Sequence, residues 1–110
     1  MLLAYVEGSP VGFAIYYFGY STFLAQPVFY LEDLFVLDAF RRKGVGKRLF
    51  GELLEIARKE RCGRFEWSVL DWNQSAIDFY ESIGARAQKE WVRYRLEEKQ
   101  IKGLLEGGFS

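Results

Sequence analysis

Seven consecutive residues, Arg41-Arg42-Lys43-Gly44-Val45-Gly46-Lys47, bring three cations, two glycines one residue apart and a fourth cation into one short stretch. Glycines let a backbone turn with its N–H groups pointing inward, and a turn of this kind that opens a helix adds the helix N-terminus as an attraction for anions. A pyrophosphate is the guest such a loop suits. The spacing does not match the dinucleotide fingerprint, which needs a third glycine, nor the nucleotide P-loop, which needs Gly-Lys-Ser/Thr. Taken alone, the same residues also read as a solvated basic turn capped by glycine.

A second feature is the pair Glu32-Asp33, set inside an otherwise apolar run. Neighbouring strand residues point to opposite faces, so both acids escape burial only where the strand is bulged, partly open or lining a cavity. A buried unpaired carboxylate would cost several kcal/mol or stay protonated, the kind of environment that tunes a base, and Glu32 is the general-base candidate. A pair salt-bridged to nearby arginines is the competing reading. Tyr80 is the third feature: a phenol held beside a leaving group can protonate it. Ala76, Tyr80 and Ile83 share a helical face, so Tyr80 also reads as a core aromatic.

The chain has no histidine, which excludes Ser-His-Asp and Cys-His catalysis, the HExxH metalloprotease motif and most zinc chemistry. Cys62 is the only cysteine, so no intramolecular disulfide forms and a reducing cytoplasm is the expected compartment. With no base near it in sequence, Cys62 reads as a packing or surface residue. Fifteen basic residues balance fifteen acidic ones, leaving no overall field toward nucleic acid or an anionic membrane. Nor does any stretch approach the ~20 apolar residues of a membrane span.

These residues need elements to hold them. At 110 residues, half of them hydrophobic, the chain is expected to be one domain, 1–110. Residues 2–6 and 11–18 read as a hairpin around Glu7-Gly8-Ser9-Pro10, with a loop over 20–27. Residues 28–37 form a strand buried between two layers. The spacing of Leu49, Phe50, Leu53, Ile56 and Ala57 predicts an amphipathic helix over 46–61, ended by Gly63. A strand over 64–70 follows, then a short helix capped by Asn73 or Ser75 and stopped by Gly84, a last strand over 89–96, and a weak helix or tail. A βαβ unit lies in the middle, and such units place ligands at the carboxyl ends of their strands, here the loop between residues 37 and 46.

The motif Arg41-x-x-Gly44-x-Gly46, in its strand, loop and helix setting, resembles the signature of the GNAT N-acetyltransferases. Tyr30-Leu31-Glu32-Asp33-Leu34-Phe35-Val36, Asp71-Trp72-Asn73-Gln74, Phe79-Tyr80 and Gly84-Ala85 are similar to its diamine acetyltransferase branch. Tyr20-Ser21-Thr22 and Leu70-Asp71-Trp72-Asn73-Gln74 look nearer to the thialysine enzymes than to the spermidine enzymes. The resemblance implies an α/β (α+β) fold with a central mixed, mostly antiparallel sheet flanked by helices. It also implies acetyl-CoA as co-substrate, with no metal, and transfer of acetyl directly to a primary amine of a small thialysine-, diamine- or polyamine-like molecule.

Carried over residue by residue, Leu34, Phe35 and Val36 would offer main-chain groups to the acetyl and pantetheine portions. Arg41, Arg42, Lys43, Gly44, Val45, Gly46 and Lys47 would surround the pyrophosphate. Asn73, Ser75 and Tyr80 would line the coenzyme, Tyr80 facing its sulfur. Tyr20, Glu32 and Asp33 would serve the acceptor, Glu32 taking its proton. Ser21 and Phe23 stand where the spermidine enzymes have an acid and a tryptophan, which weighs against tight polyamine recognition. Family members usually begin with a strand and two helices ahead of the hairpin, so the fold is expected to be shortened at the N-terminus, and a homodimer is expected. An acetyl-CoA-binding module without turnover, and an interaction protein without coenzyme, remain as competing readings.

Overall fold

The structure is a computed structural model and describes residues 1–108. The chain divides into two compact units, Met1–Leu70 and the remainder from Asp71 onward, each described by itself.

The first unit holds a four-stranded sheet in the order β1-β2-β3-β4, formed by β1 (Leu2–Val6), β2 (Ser9–Ser21), β3 (Gln26–Val36) and β4 (Arg64–Glu66). β1, β2 and β3 are antiparallel, and β4 joins β3 in parallel across α1 (Val45–Lys59). The sheet is thus mixed and mostly antiparallel, as expected. Glu7 and Gly8, both at positive φ (51° and 81°), make the two-residue turn whose twist suits a tight hairpin. β2 and β3 run further than the sequence pattern implies, reducing the expected 20–27 loop to residues 22–25. Ser21 closes that turn, its Oγ accepting the Leu24 N–H at 3.1 Å.

The helical spacing in α1 turns Leu49, Leu53 and Ala57 inward, where Leu53 and Ala57 meet Ala14, Phe29 and Leu31 of the sheet. Phe29 and Leu53 are fully enclosed, each contributing about 1.5–3 kcal/mol by leaving water. Rings continue this layer: Phe29 stacks on Tyr16 and Phe65, with centroids 4.8 and 4.6 Å apart. The helix stops at Lys59, ahead of the expected Gly63. Arg61 takes the left-handed conformation (φ 56°), and Gly63 instead donates its N–H to the Pro27 carbonyl at 2.9 Å.

The second unit contains α2 (Gln74–Ser82) and α3 (Glu98–Gly107). Asn73 is the cap of α2, its side-chain oxygen accepting the Ala76 N–H at 3.4 Å, and Gly84 follows the helix at φ 97°. The strand expected over 89–96 is not formed: those residues are exposed, and no strand among the described residues pairs with them. Alternation of apolar and polar residues favours a pleated surface without supplying a partner edge. The strand expected over 64–70 likewise pairs only as far as Glu66.

Candidate active site

β3 has different neighbours on its two edges. β2 accompanies it throughout, whereas β4 pairs only at Val28↔Arg64, Phe29↔Phe65 and Tyr30↔Glu66. Beyond Tyr30 no strand among the described residues pairs with that edge of residues 31–36, the stretch holding Leu34, Phe35 and Val36. A strand edge without a partner offers main-chain donors and acceptors to an extended ligand.

A β-bulge interrupts the same stretch. Ile15 lies opposite Asp33 and Tyr16 opposite Leu31, leaving Glu32 as the extra residue. Leu31 and Leu34 both pack toward the core, so Glu32 and Asp33 emerge in succession, both exposed. The bulge is what releases two adjacent acids from burial. Neither carboxylate sits in an apolar pocket, and among the described residues neither forms an ion pair with an arginine.

The strand ends at Val36, and a short 3-10 turn (Asp38–Phe40) leads to the basic loop. Arg41 is committed within the protein: it donates from Nε to the Val36 carbonyl at 3.0 Å, pairs with Asp38 at 2.7 Å and lies over the Phe35 ring. It thereby fixes the loop to the end of β3. Arg42 bends the chain at φ 64°, and Gly44 caps α1 at φ 83°, a conformation that a side chain opposes by about 1–2 kcal/mol. The first bond of the helix runs from the Arg48 N–H to the Gly44 carbonyl at 2.9 Å. The N–H groups of Val45, Gly46 and Lys47 precede it and have no intrahelical acceptor. Lys43 rests its ammonium over the Phe40 ring, and Lys47 lines a shallow groove with Gly44, Arg48, Gly51 and Glu52. Cations, free N–H groups and a helix N-terminus therefore converge at one end of α1, next to the open edge of β3.

Asn73, Ser75 and Tyr80, also marked in the sequence, lie in the second unit. Ser75 Oγ donates to Asn73 Oδ1 at 3.3 Å, so both side chains serve the cap of α2. Tyr80 is half-buried on that helix, its ring edge-on to Phe79, and burial pushes its phenol above the usual value. The Cys62 thiol is also pushed up, first by burial and then by Glu60, as for an unreactive thiol. Among the described residues no group of side chains could hold a metal ion, and no helix is long and apolar enough to cross a membrane.

A recess of about 380 Å³ lies in the first unit, beside the paired part of β3 and β4. Tyr20 is on its wall, together with Tyr17, Val28, Tyr30, Arg64 and Glu66. Tyr17 and Tyr30 stack 5.0 Å apart, and the Tyr30 and Ser68 hydroxyls share a hydrogen bond of 3.0 Å. Apart from Tyr20 and Tyr30, these residues do not stand out in the sequence. Arg64 and Glu66 share a face by strand alternation, but their place beside Tyr30 depends on the β3–β4 register.

Residues 1–85 match the family model described as Acetyltransferase (GNAT) family. The chain is 47% identical over 93 residues to the L-ornithine N5-acetyltransferase of Arabidopsis thaliana, covering 84% of this chain and 41% of that one. It is 37% identical over 97 residues to the thialysine N-epsilon-acetyltransferase of Sus scrofa, covering 86% and 56%. The chain thus spans about half the length of these relatives. Among solved structures, an integron cassette protein from the mobile metagenome of V. cholerae superposes with a TM-score of 0.85 at 33% identity, over 94% of this chain and 64% of that one. The family motif, the sheet that parts after Tyr30 and these matches agree, and the chain belongs to the GNAT acetyltransferase family, in its diamine-acetyltransferase-like branch.

Proposed function

We propose that this protein transfers an acetyl group from acetyl-CoA directly to a primary amine of a small molecule of the thialysine, diamine or polyamine kind. One observation carries the reading: the open, bulged edge of β3 presents main-chain groups and the Glu32 carboxylate together, and runs into the cation-rich N-terminus of α1. The residues fit the coenzyme, because an anionic pyrophosphate needs unpaired N–H groups and cations, and its extended arm needs an edge to pair with. When bound, acetyl-CoA supplies an activated thioester.

Val45, Gly46 and Lys47 would donate main-chain N–H groups to the pyrophosphate, with Arg42, Lys43 and Lys47 supplying charge. Arg41 holds the loop in place. Leu34, Phe35 and Val36 would hold the arm and direct an N–H at the acetyl oxygen, where negative charge develops during attack. Glu32 accepts the proton of the incoming amine, directly or through water, and Asp33 adds negative potential that draws a cationic acceptor inward. Tyr80 has the part of proton donor to the departing sulfur, since a phenol carries its proton at neutral pH and burial pushes the release of that proton further up. Asn73 and Ser75 would line the coenzyme through groups that the helix cap leaves over.

Calorimetric titration with acetyl-CoA tests the reading. Binding at simple stoichiometry is expected, weakened roughly tenfold or more when Lys43 and Lys47 are both replaced by Gln, as for lost charge-assisted contacts. Acetylation of ornithine, thialysine or a diamine should follow. Binding without turnover of any amine would identify a coenzyme-binding module, and absence of binding would overturn the assignment of the loop.

A further inference from the structure

Glu66 and Arg64 stand two residues apart on β4, opposite Tyr30 and Val28, and both line the recess that holds Tyr20. Among the described residues, neither side chain takes part in an ion pair. One wall therefore carries an uncommitted anion and an uncommitted cation, separated along the strand by about 7 Å. Three tyrosine rings, Tyr17, Tyr20 and Tyr30, lie beside them. A diamine would find a partner for one ammonium in Glu66 and nothing for Arg64. A zwitterion satisfies both.

Glu32 follows Tyr30 by two residues on β3, about 7 Å further along. The four bonds from the α-carbon to the terminal nitrogen of ornithine extend about 5 Å, and one more methylene adds about 1.3 Å. We infer that this recess seats the amino-acid end of the acceptor, with Arg64 on the α-carboxylate and Glu66 on the α-ammonium, while the side-chain amine extends along β3 to Glu32. The inference rests on the proposed acetyl transfer for its meaning and narrows the acceptor from amines in general to α-amino acids carrying a side-chain amine. The tyrosine rings pack against the methylenes and supply faces for the cation. Arg64 and Glu66 are specificity residues; neither touches the reacting carbonyl.

The test reads binding independently of acetyl transfer. L-ornithine and 1,4-diaminobutane, which differ by one carboxylate, are titrated into the intact chain with CoA present. Ornithine should bind at least tenfold more tightly. Arg64→Gln should erase that preference while leaving diaminobutane unchanged, Arg64→Lys should restore part of it, and Glu66→Gln should weaken both ligands. Equal affinity for the two ligands in the parent protein, or a preference that survives Arg64→Gln, would overturn the inference. A preference that behaves as expected in a protein unable to acetylate either amine would support the recess and count against the proposed transfer alone.

Discussion

The part proposed for Tyr80 depends on a phenol that keeps its proton. A phenol ordinarily releases its proton near pH 10, and burial penalises the phenolate, moving that release upward. A raised value in the folded state means that folding favours the protonated form. The stabilising contribution is complete below about pH 10 and is lost as pH rises through the folded-state value. In the proposed transfer Tyr80 acts as an acid, a part that needs its proton in place at the working pH. Tyr80→Phe is expected to lower kcat by about 10²-fold or more while acetyl-CoA affinity stays near that of the parent. It should also remove the alkaline fall in rate that titration of the phenol gives the parent, which a pH–rate profile would record. Equal loss of affinity and turnover would make Tyr80 a packing residue, as its shared helical face with Ala76 and Ile83 also permits.

At the scale of elements, the site depends on how closely β2 lies against β3. A Cβ on Gly12 would fall 2.8 Å from the Phe35 carbonyl oxygen, a main-chain atom that cannot swing aside, whereas one on Gly19 of the same strand would meet nothing within 4 Å. Gly12→Ala is therefore expected to cost about 1–3 kcal/mol, seen as a fall in Tm of roughly 5 °C or more, while Gly19→Ala leaves Tm unchanged or slightly raised. Because Gly12 pairs with Val36, the same change should also disturb the edge proposed to hold the coenzyme. Much of this architecture was legible beforehand. α1 declared itself through Leu49, Leu53 and Ala57, and Glu32-Asp33 called for a strand that is bulged, partly open or lining a cavity, of which the structure has the bulge. What stayed hidden depended on partners distant in sequence. The point at which β4 leaves β3, the placing of Arg64 and Glu66 beside Tyr30, and the failure of residues 89–96 to form a strand are all decided by register and by available edges. Local pattern carries none of that information.

At the scale of the whole molecule, the sheet is protected unevenly. α1 covers one face, while Leu3, Tyr5, Ile15 and Phe35 remain exposed, between 39% and 58% of their surface. β1 is also the outer strand, paired with β2 alone, so its other edge keeps unpaired main-chain groups. Edges of this kind are usually blunted by charge, proline or a bulge; β1 reads Leu-Leu-Ala-Tyr-Val without charge or proline, and only a register shift between Ala4 and Tyr5 interrupts its pairing with β2. Exposed rings and aliphatic chains beside such an edge favour association, which becomes stable once each partner buries about 800 Å². The protein is therefore expected to be a homodimer at micromolar concentration, with light scattering giving twice the chain mass. Tyr5→Lys places a charge on the outer strand and should shift that mass toward the monomer without altering acetyl-CoA affinity, since β1 contributes no residue to the edge proposed to hold the coenzyme. A clean monomer for the parent chain would show that neither the edge nor the apolar face recruits a second copy.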